Sequence, residues 1–164
     1  MAGFGRCNTF VEADIDLAAV RFFDAMNDWS GFLQYFPDDI PLKLSRIDLA
    51  EGNIEGVLPC TRRAFIAKEL YPEEFRAAVP DYVLETLLAA DRDAGTLVFR
   101  VEGELNGMRN YYGRITVSPL GVDRCNVRFS AQFDLVEGGD GQAAIDSIEE
   151  MHRKVIARMD RMLS

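Results

Sequence analysis

Hydrophobic positions follow two periods along this chain, one at its end and another through its middle. From about Ala143 onward, a rotation of roughly 100° per residue places Ile145, Ile148, His152, Ile156, Met159 and Leu163 on one face. The spacing predicts a long amphipathic helix running to the C-terminus. GGDGQ, residues 138–142, reads as the flexible joint before it. Between Pro41 and Leu135 the pattern is that of strands: PLKLSRIDL, VLPCTRRAFIA, YVLETLLAA, TLVFRVEGEL, RNYYGRITV and RCNVRFSAQFDL. EGNIEG, DRDAG and PLGVD separate several of them as turns. Ahead of this run, a first strand is expected over residues 4–13. A helix over LAAVRFFDAM follows, with Asp14 or Asp16 as its cap, then a short helix GFLQYF capped by Ser30 and ended by Pro37. The order is one strand, two short helices, an antiparallel run and one long helix. That is an α+β plan with the last helix laid across a curved antiparallel sheet.

The hairpin around Leu105-Asn106-Gly107 tests the register. A loop of Asn106-Gly107 alone would put Phe99 and Val101 on one face with Tyr112 and Arg114. A three-residue loop with Gly107 left-handed in a bulge pairs Val101 with Tyr111 and Phe99 with Gly113. The second register gathers Leu97, Phe99, Val101, Tyr111, Gly113, Ile115 and Val117 on one face. Arg100, Glu102, Asn110, Tyr112 and Arg114 then point the other way. Burying Arg114 unpaired costs far more than a turn preference, so the bulged register is expected. The next strand continues the inner wall with Cys125, Val127, Phe129, Ala131 and Phe133. Gly113, at the centre of this wall, either lets the strand bend or leaves space above it.

Composition narrows the classes. The chain has 164 residues, 48% of them hydrophobic, which suits one globular domain over 1–164. The net charge of -9 argues against binding nucleic acid or an anionic membrane surface. No apolar run is long enough to cross a bilayer. MAGFGRCNTF lacks the basic start and apolar core of a secretory leader. Cys7, Cys60 and Cys125 are widely spaced and form no CxxC pair, which fits reduced thiols in the cytoplasm. With one histidine, no metal centre is expected, and no motif calls for a cofactor. Residues 12–39 hold seven acids and one base, Arg21. Such a run is either a solvated face or an acidic docking site.

AAVRFFDAMNDWSGFLQYFP, VLETLLAADRDAGTLVFRV and YYGRITVSPLGVDRCNVRFSAQF, with the long C-terminal helix, resemble the START-like (SRPBCC) superfamily, in its polyketide cyclase/dehydrase and lipid-transport branch. The last of these is similar to the family's G-x-I-x-V-x-P-x-G hairpin. The resemblance spans nearly the whole chain. It implies a helix-grip fold with an apolar cavity between sheet and helix. One departure is KELYPEEFRAAVPDY, where many relatives turn in a few residues. Pro72 followed by Glu73 and Glu74 suits a helix start and Pro80 its stop. The insertion, 68–82, is either a lid using Tyr71, Phe75 or Tyr82, or a packed surface segment.

With such a cavity, the candidate ligand contacts are Phe99, Tyr111, Gly113, Phe129, Phe133, Ile148, His152, Ile156 and Met159. His152 is either a core imidazole bonded to a carbonyl or a polar group facing the cavity, and Tyr111 is its candidate partner. Arg62 and Arg63 are neighbours on a strand, so one of them points inward unless a bulge intervenes. An inward Arg would suit a ligand carboxylate. Leu84 and Leu88 compete for the inner face, so Glu85 is expected outside. Trp29 is expected to anchor the helix pair. The reading these residues favour is binding of a hydrophobic or aromatic small molecule such as a lipid or polyketide-like metabolite, by a monomer or homodimer. Two alternatives remain open. One is an aromatase/cyclase or dehydratase with His152 as general base and Tyr111 or an inward Arg steadying an enolate. The other is an interaction protein using the acidic helical end, as some relatives work with chaperones.

Overall fold

A computed structural model describes residues 4–164. Residues 1–3, the start of the MAGFGRCNTF stretch considered above, lie outside the described residues. Strand β1 (Phe4–Ile15) leads into helix α1 (Ala19–Asn27) and a 3-10 turn (Phe32–Tyr35). Strands β2 (Leu44–Leu49) and β3 (Cys60–Ile66) follow, then a second 3-10 turn (Lys68–Leu70) and the one-turn helix α2 (Glu73–Arg76). Strands β4 (Tyr82–Asp91), β5 (Thr96–Leu105), β6 (Met108–Pro119) and β7 (Cys125–Val136) precede the C-terminal helix α3 (Gly141–Leu163). The seven strands form one antiparallel sheet in the order β1-β7-β6-β5-β4-β3-β2. Helix α3 crosses its inner face and lies closest to β1. This is the expected α+β helix-grip architecture.

Alternation in β7 makes the inner wall. Cys125, Val127, Phe129, Ala131, Phe133 and Leu135 are buried, and the residues between them are more open. Against this wall α3 buries His152, Val155, Ile156 and Met159. Each large apolar side chain removed from water this way contributes about 1.5–3 kcal/mol before entropy is charged. The stripe therefore holds the helix in place more than its helical propensity does.

The β5–β6 hairpin has the expected register, with Val101 paired to Tyr111 and Phe99 to Gly113. The odd residue, however, is not in the loop. Leu105 pairs with Met108, and Asn106 (φ 52°) and Gly107 (φ 76°) make a two-residue turn with both residues left-handed. The bulge lies further down β5, between Val101 and Glu104, where Gly103 has φ 76°. The Asn-Gly turn and the inward register coexist because the bulge takes up the extra residue.

Both predicted helix caps are corrected. Asp14 lies inside β1 and accepts from Asn126 Nδ2 at 2.8 Å, while Asp16 pairs with Arg124 at 3.2 Å. The residue before α1 is Ala18, with no side-chain cap. Ser30 caps nothing either: the 3-10 turn begins after Gly31. Glu55, from the β2–β3 loop, instead accepts from the amides of Trp29 and Ser30 at 2.6 and 3.3 Å. A distant carboxylate has taken over a local task. Helix α3 starts slightly earlier than expected because Asp140 accepts from Ala143 N at 3.0 Å.

Gly113 opens no void. A Cβ there would stand 2.3 Å from Phe99 Cζ, so the phenyl ring already occupies the space above the glycine. Gly113→Val is expected to push this ring out of place and lower stability by about 1–3 kcal/mol. Urea denaturation measures it, and Phe99→Leu in the same chain should recover part of the loss. A wild-type midpoint for Gly113→Val would show that the ring yields freely.

Candidate functional site

The space between α3 and strands β3 to β6 is incompletely filled. A cavity of about 190 Å³ remains there. Ala64, Val83, Phe99 and Tyr111 belong to its sheet side, Met26, Trp29 and Phe32 to the first helical segments, and Ile148, His152 and Val155 to α3. Its exposed lining residues are Pro41, Gly103, Asn106 and Ser147. The mouth therefore lies between the 36–43 loop, the tip of the β5–β6 hairpin and the first half of α3.

Five of the nine candidate contacts line this cavity: Phe99, Tyr111, Phe129, Ile148 and His152. Four do not. Phe133 is fully buried, stacked on Tyr111 at 5.8 Å, and Ile156 and Met159 pack in the core beyond the cavity. Gly113 is covered by Phe99. Trp29 was expected as a structural anchor, and it is also part of the wall. Met26, Phe32, Phe36 and the 40–44 segment were missed. Met26 lies on the buried face of the predicted helix α1, whereas the others come from short irregular elements whose facing has no period to read.

His152 and Tyr111 meet across the wall, with Tyr111 Oη and His152 Nε2 at 3.5 Å. Both are buried. Burial holds the His152 pKa down, to about 4, so the imidazole is neutral at physiological pH. Burial, with the Glu85 carboxylate adding to it, pushes the Tyr111 phenol well above its usual range. His152 Nδ1 and Trp29 Nε1 are both buried without a hydrogen-bond partner.

Arg62 is the inward member of its pair, and Arg63 points out to Asp48 at 2.8 Å. Glu85 faces inward as well, correcting the expectation that it lies outside. The β3–β4 ladder sets Arg62 directly against Glu85. A register shift between Leu87 and Ala89 breaks the alternation, so Leu84 and Leu88 do not define the inner face. Arg62 Nε and Nη2 both reach Glu85 Oε2 at 2.6 Å, and Nη1 donates to the Trp29 carbonyl at 2.8 Å. The guanidinium also lies 3.6 Å from the Trp29 ring centre. With its donors committed this way, Arg62 does not stand free to meet a ligand carboxylate.

Neither Tyr71, Phe75 nor Tyr82 of the insertion lines the cavity. Phe75 is exposed, and Tyr82 packs on Phe65. Tyr71 reaches the rim loop instead: its hydroxyl accepts from Lys43 N and donates to the Pro41 carbonyl, each at 3.0 Å. In the acidic segment Asp24, Asp38 and Asp39 pair with Arg92, Arg158 and Lys154. Cys7, Cys60 and Cys125 are buried free thiols that lie outside the cavity lining, which also has no lysine among the described residues. No three metal-ligating side chains come together among the described residues, and no helix among them is long and apolar enough to cross a membrane.

Solved structures carry the same architecture. XoxI from Bacillus cereus aligns with a TM-score of 0.72 at 12% identity, covering 96% of this chain and 95% of that one. Norcoclaurine synthase from Thalictrum flavum, in complex with dopamine and hydroxybenzaldehyde, aligns at 0.67 and 14%, covering 97% and 87%. A Thermobifida fusca protein aligns at 0.68 and 15%, covering 94% and 93%. These are Bet v1/SRPBCC-type folds. This chain shares that fold. No family model and no curated protein sequence matches it.

Two measurements probe the polar groups. Removing one partner of the buried pair, as in Glu85→Leu, is expected to cost about 3 kcal/mol, while Arg62→Met with Glu85→Leu recovers much of it. A double-mutant cycle by urea denaturation reads the coupling, and a coupling near zero would refute the pairing. For His152, the unfolded chain takes up a proton before the fold does, because the folded pKa is the lower. Stability tied to the neutral imidazole is complete above pH 6.5 and is lost as pH falls toward 4, by up to about 3 kcal/mol. His152→Gln should flatten this part of the pH–stability curve. Curves of the same shape for both proteins would show that the imidazole is not buried in its neutral form.

Proposed function

We propose that the protein binds an uncharged, largely apolar or aromatic small molecule, such as a lipid or polyketide-like metabolite, between the sheet and α3. The observation that carries this reading is the lining itself. Apolar and aromatic side chains make up most of it, and Trp29 and His152, each with one buried nitrogen that has no partner, are among them. An apolar cavity lined by aromatic rings with few polar groups is the usual setting for an apolar or aromatic ligand. Charge is excluded by the same wall. An anion would compete with Glu85 for Arg62, and a cation would compete with Arg62 for Glu85, each after losing its hydration. At about 190 Å³ the space exceeds the roughly 150 Å³ apolar cavity that admits benzene. A ring with a short substituent fits without rearrangement. Norcoclaurine synthase, of the same fold, is solved with dopamine and hydroxybenzaldehyde, both aromatic molecules.

Catalysis by His152 as general base is the weaker reading. With its pKa at about 4, the imidazole has little driving force to remove a proton at neutral pH. The docking reading also loses support, because three of its acids are already paired within the chain.

The test is a fluorescence titration with the uncharged, polarity-sensitive probe 4-(dimethylamino)benzonitrile, a single ring with two short substituents. Ile148→Trp, which fills the cavity from α3, is expected to weaken binding at least tenfold, while His152→Phe keeps most of the affinity. Native mass spectrometry of the purified protein should also release an apolar molecule on denaturation. Probe binding unchanged by Ile148→Trp would place the probe elsewhere and sink the proposal.

A further inference from the structure

One side of the cavity mouth is the 36–43 loop, which contributes Phe36, Ile40, Pro41 and Leu42 to the lining. This wall has no ladder of its own. Beyond the turn before it, the backbone bond that joins it to the fold is Ala67 N to Lys43 O at 2.9 Å. Side chains do most of the holding. Lys154 and Arg158, one helical turn apart on α3, meet the consecutive acids Asp39 and Asp38. Lys154 Nζ lies 3.0 Å from the Asp39 carboxylate and 3.1 Å from its carbonyl oxygen. Arg158 pairs with the Asp38 carboxylate, and its Nε donates to the Gln34 carbonyl at 2.9 Å. On the other side of the loop, the Tyr71 hydroxyl holds Lys43 N and the Pro41 carbonyl.

These two attachments differ in kind. The carboxylates of Asp38 and Asp39 are 85% and 74% exposed, so their ion pairs are weak and are screened by salt. The Tyr71 bonds are between neutral groups and do not depend on ionic strength. A loop fixed on one edge by neutral bonds and on the other by screened charges releases first from the charged edge. We infer that the 36–43 loop is the gate of the cavity, latched to α3 by the Asp38–Arg158 and Asp39–Lys154 pairs and pivoting on Tyr71. The inference rests on the proposed binding role for its functional meaning. The latch itself is a property of the fold and is measured separately.

The kinetic test is stopped-flow release of 4-(dimethylamino)benzonitrile from the full chain at 20 and 500 mM NaCl. Wild-type protein should release faster at high salt. Lys154→Met with Arg158→Met, and separately Asp38→Asn with Asp39→Asn, should release about three- to tenfold faster at low salt and lose most of the salt dependence. Equilibrium affinity should change less, because entry speeds up along with exit. The charge swap Asp38→Arg with Arg158→Asp should slow release again, which general damage to the fold would not allow. Salt-independent release from wild type, or variants that release at its rate, would overturn the gate. Hydrogen exchange without any probe tests the latch alone. Amides of residues 36–44 should exchange faster with salt in wild type, and already fast in both latch variants. If the probe does not bind at all, the binding proposal fails, and this exchange pattern still decides for or against the latch.

Discussion

A curved sheet of seven strands has an apolar inner face wider than one helix can cover. At about 4.8 Å per strand, the face is roughly 30 Å across, and a helix with its side chains is about 10 Å thick. Helix α3 settles close to β1, where its stripe meets Phe129, Val127 and their neighbours. The region over β3 to β6 must then be roofed by whatever else the chain provides. Here that is α1, a 3-10 turn and an irregular loop, none of which makes a continuous layer. The cavity is the remainder of this covering problem. It lies where His152, midway along α3, is directed at the uncovered side.

The Arg62–Glu85 pair shows how the roof is attached. One guanidinium binds β3 to β4 through Glu85 and holds Trp29, two residues past α1, through its carbonyl and ring. An apolar contact at this point would contribute comparable stability but would not fix the orientation of the indole. Because Trp29 also packs on Phe99 at 5.8 Å, which rests over Gly113, the ion pair, the indole and the sheet floor form one connected unit. The shape of the cavity therefore depends on a charged contact in its wall as much as on apolar packing.

Regular elements were legible because their burial repeats. The α3 stripe, the inner set of β7 and the pairing of Phe99 with Gly113 follow from period and from the cost of burying Arg114. What escaped the sequence was non-periodic. The register shift after Leu87 reversed the expected facing of Glu85, and no turn residue marks it. The cap on Trp29 and Ser30 comes from Glu55, about 25 residues away, where short-range patterns carry no information. For the site, the sheet and α3 contributions could be inferred from faces, whereas the roof could not. Ile156 and Met159 share a stripe with His152, yet the cavity ends before their turn of the helix. A stripe states which side of a helix is inward, not how far along it packing is complete.

The thiols and the lysine amines among the described residues lie away from this lining. Forming an imine needs an amine and forming a thioether needs a thiolate, and the cavity offers neither. Burial also raises the Cys60 and Cys125 thiols, the latter to about 11, which suppresses their thiolate forms. An aldehyde resting between sheet and helix would thus find no amine with which to form an imine, and the neutral His152 imidazole is the nucleophile left to meet an enone or a quinone.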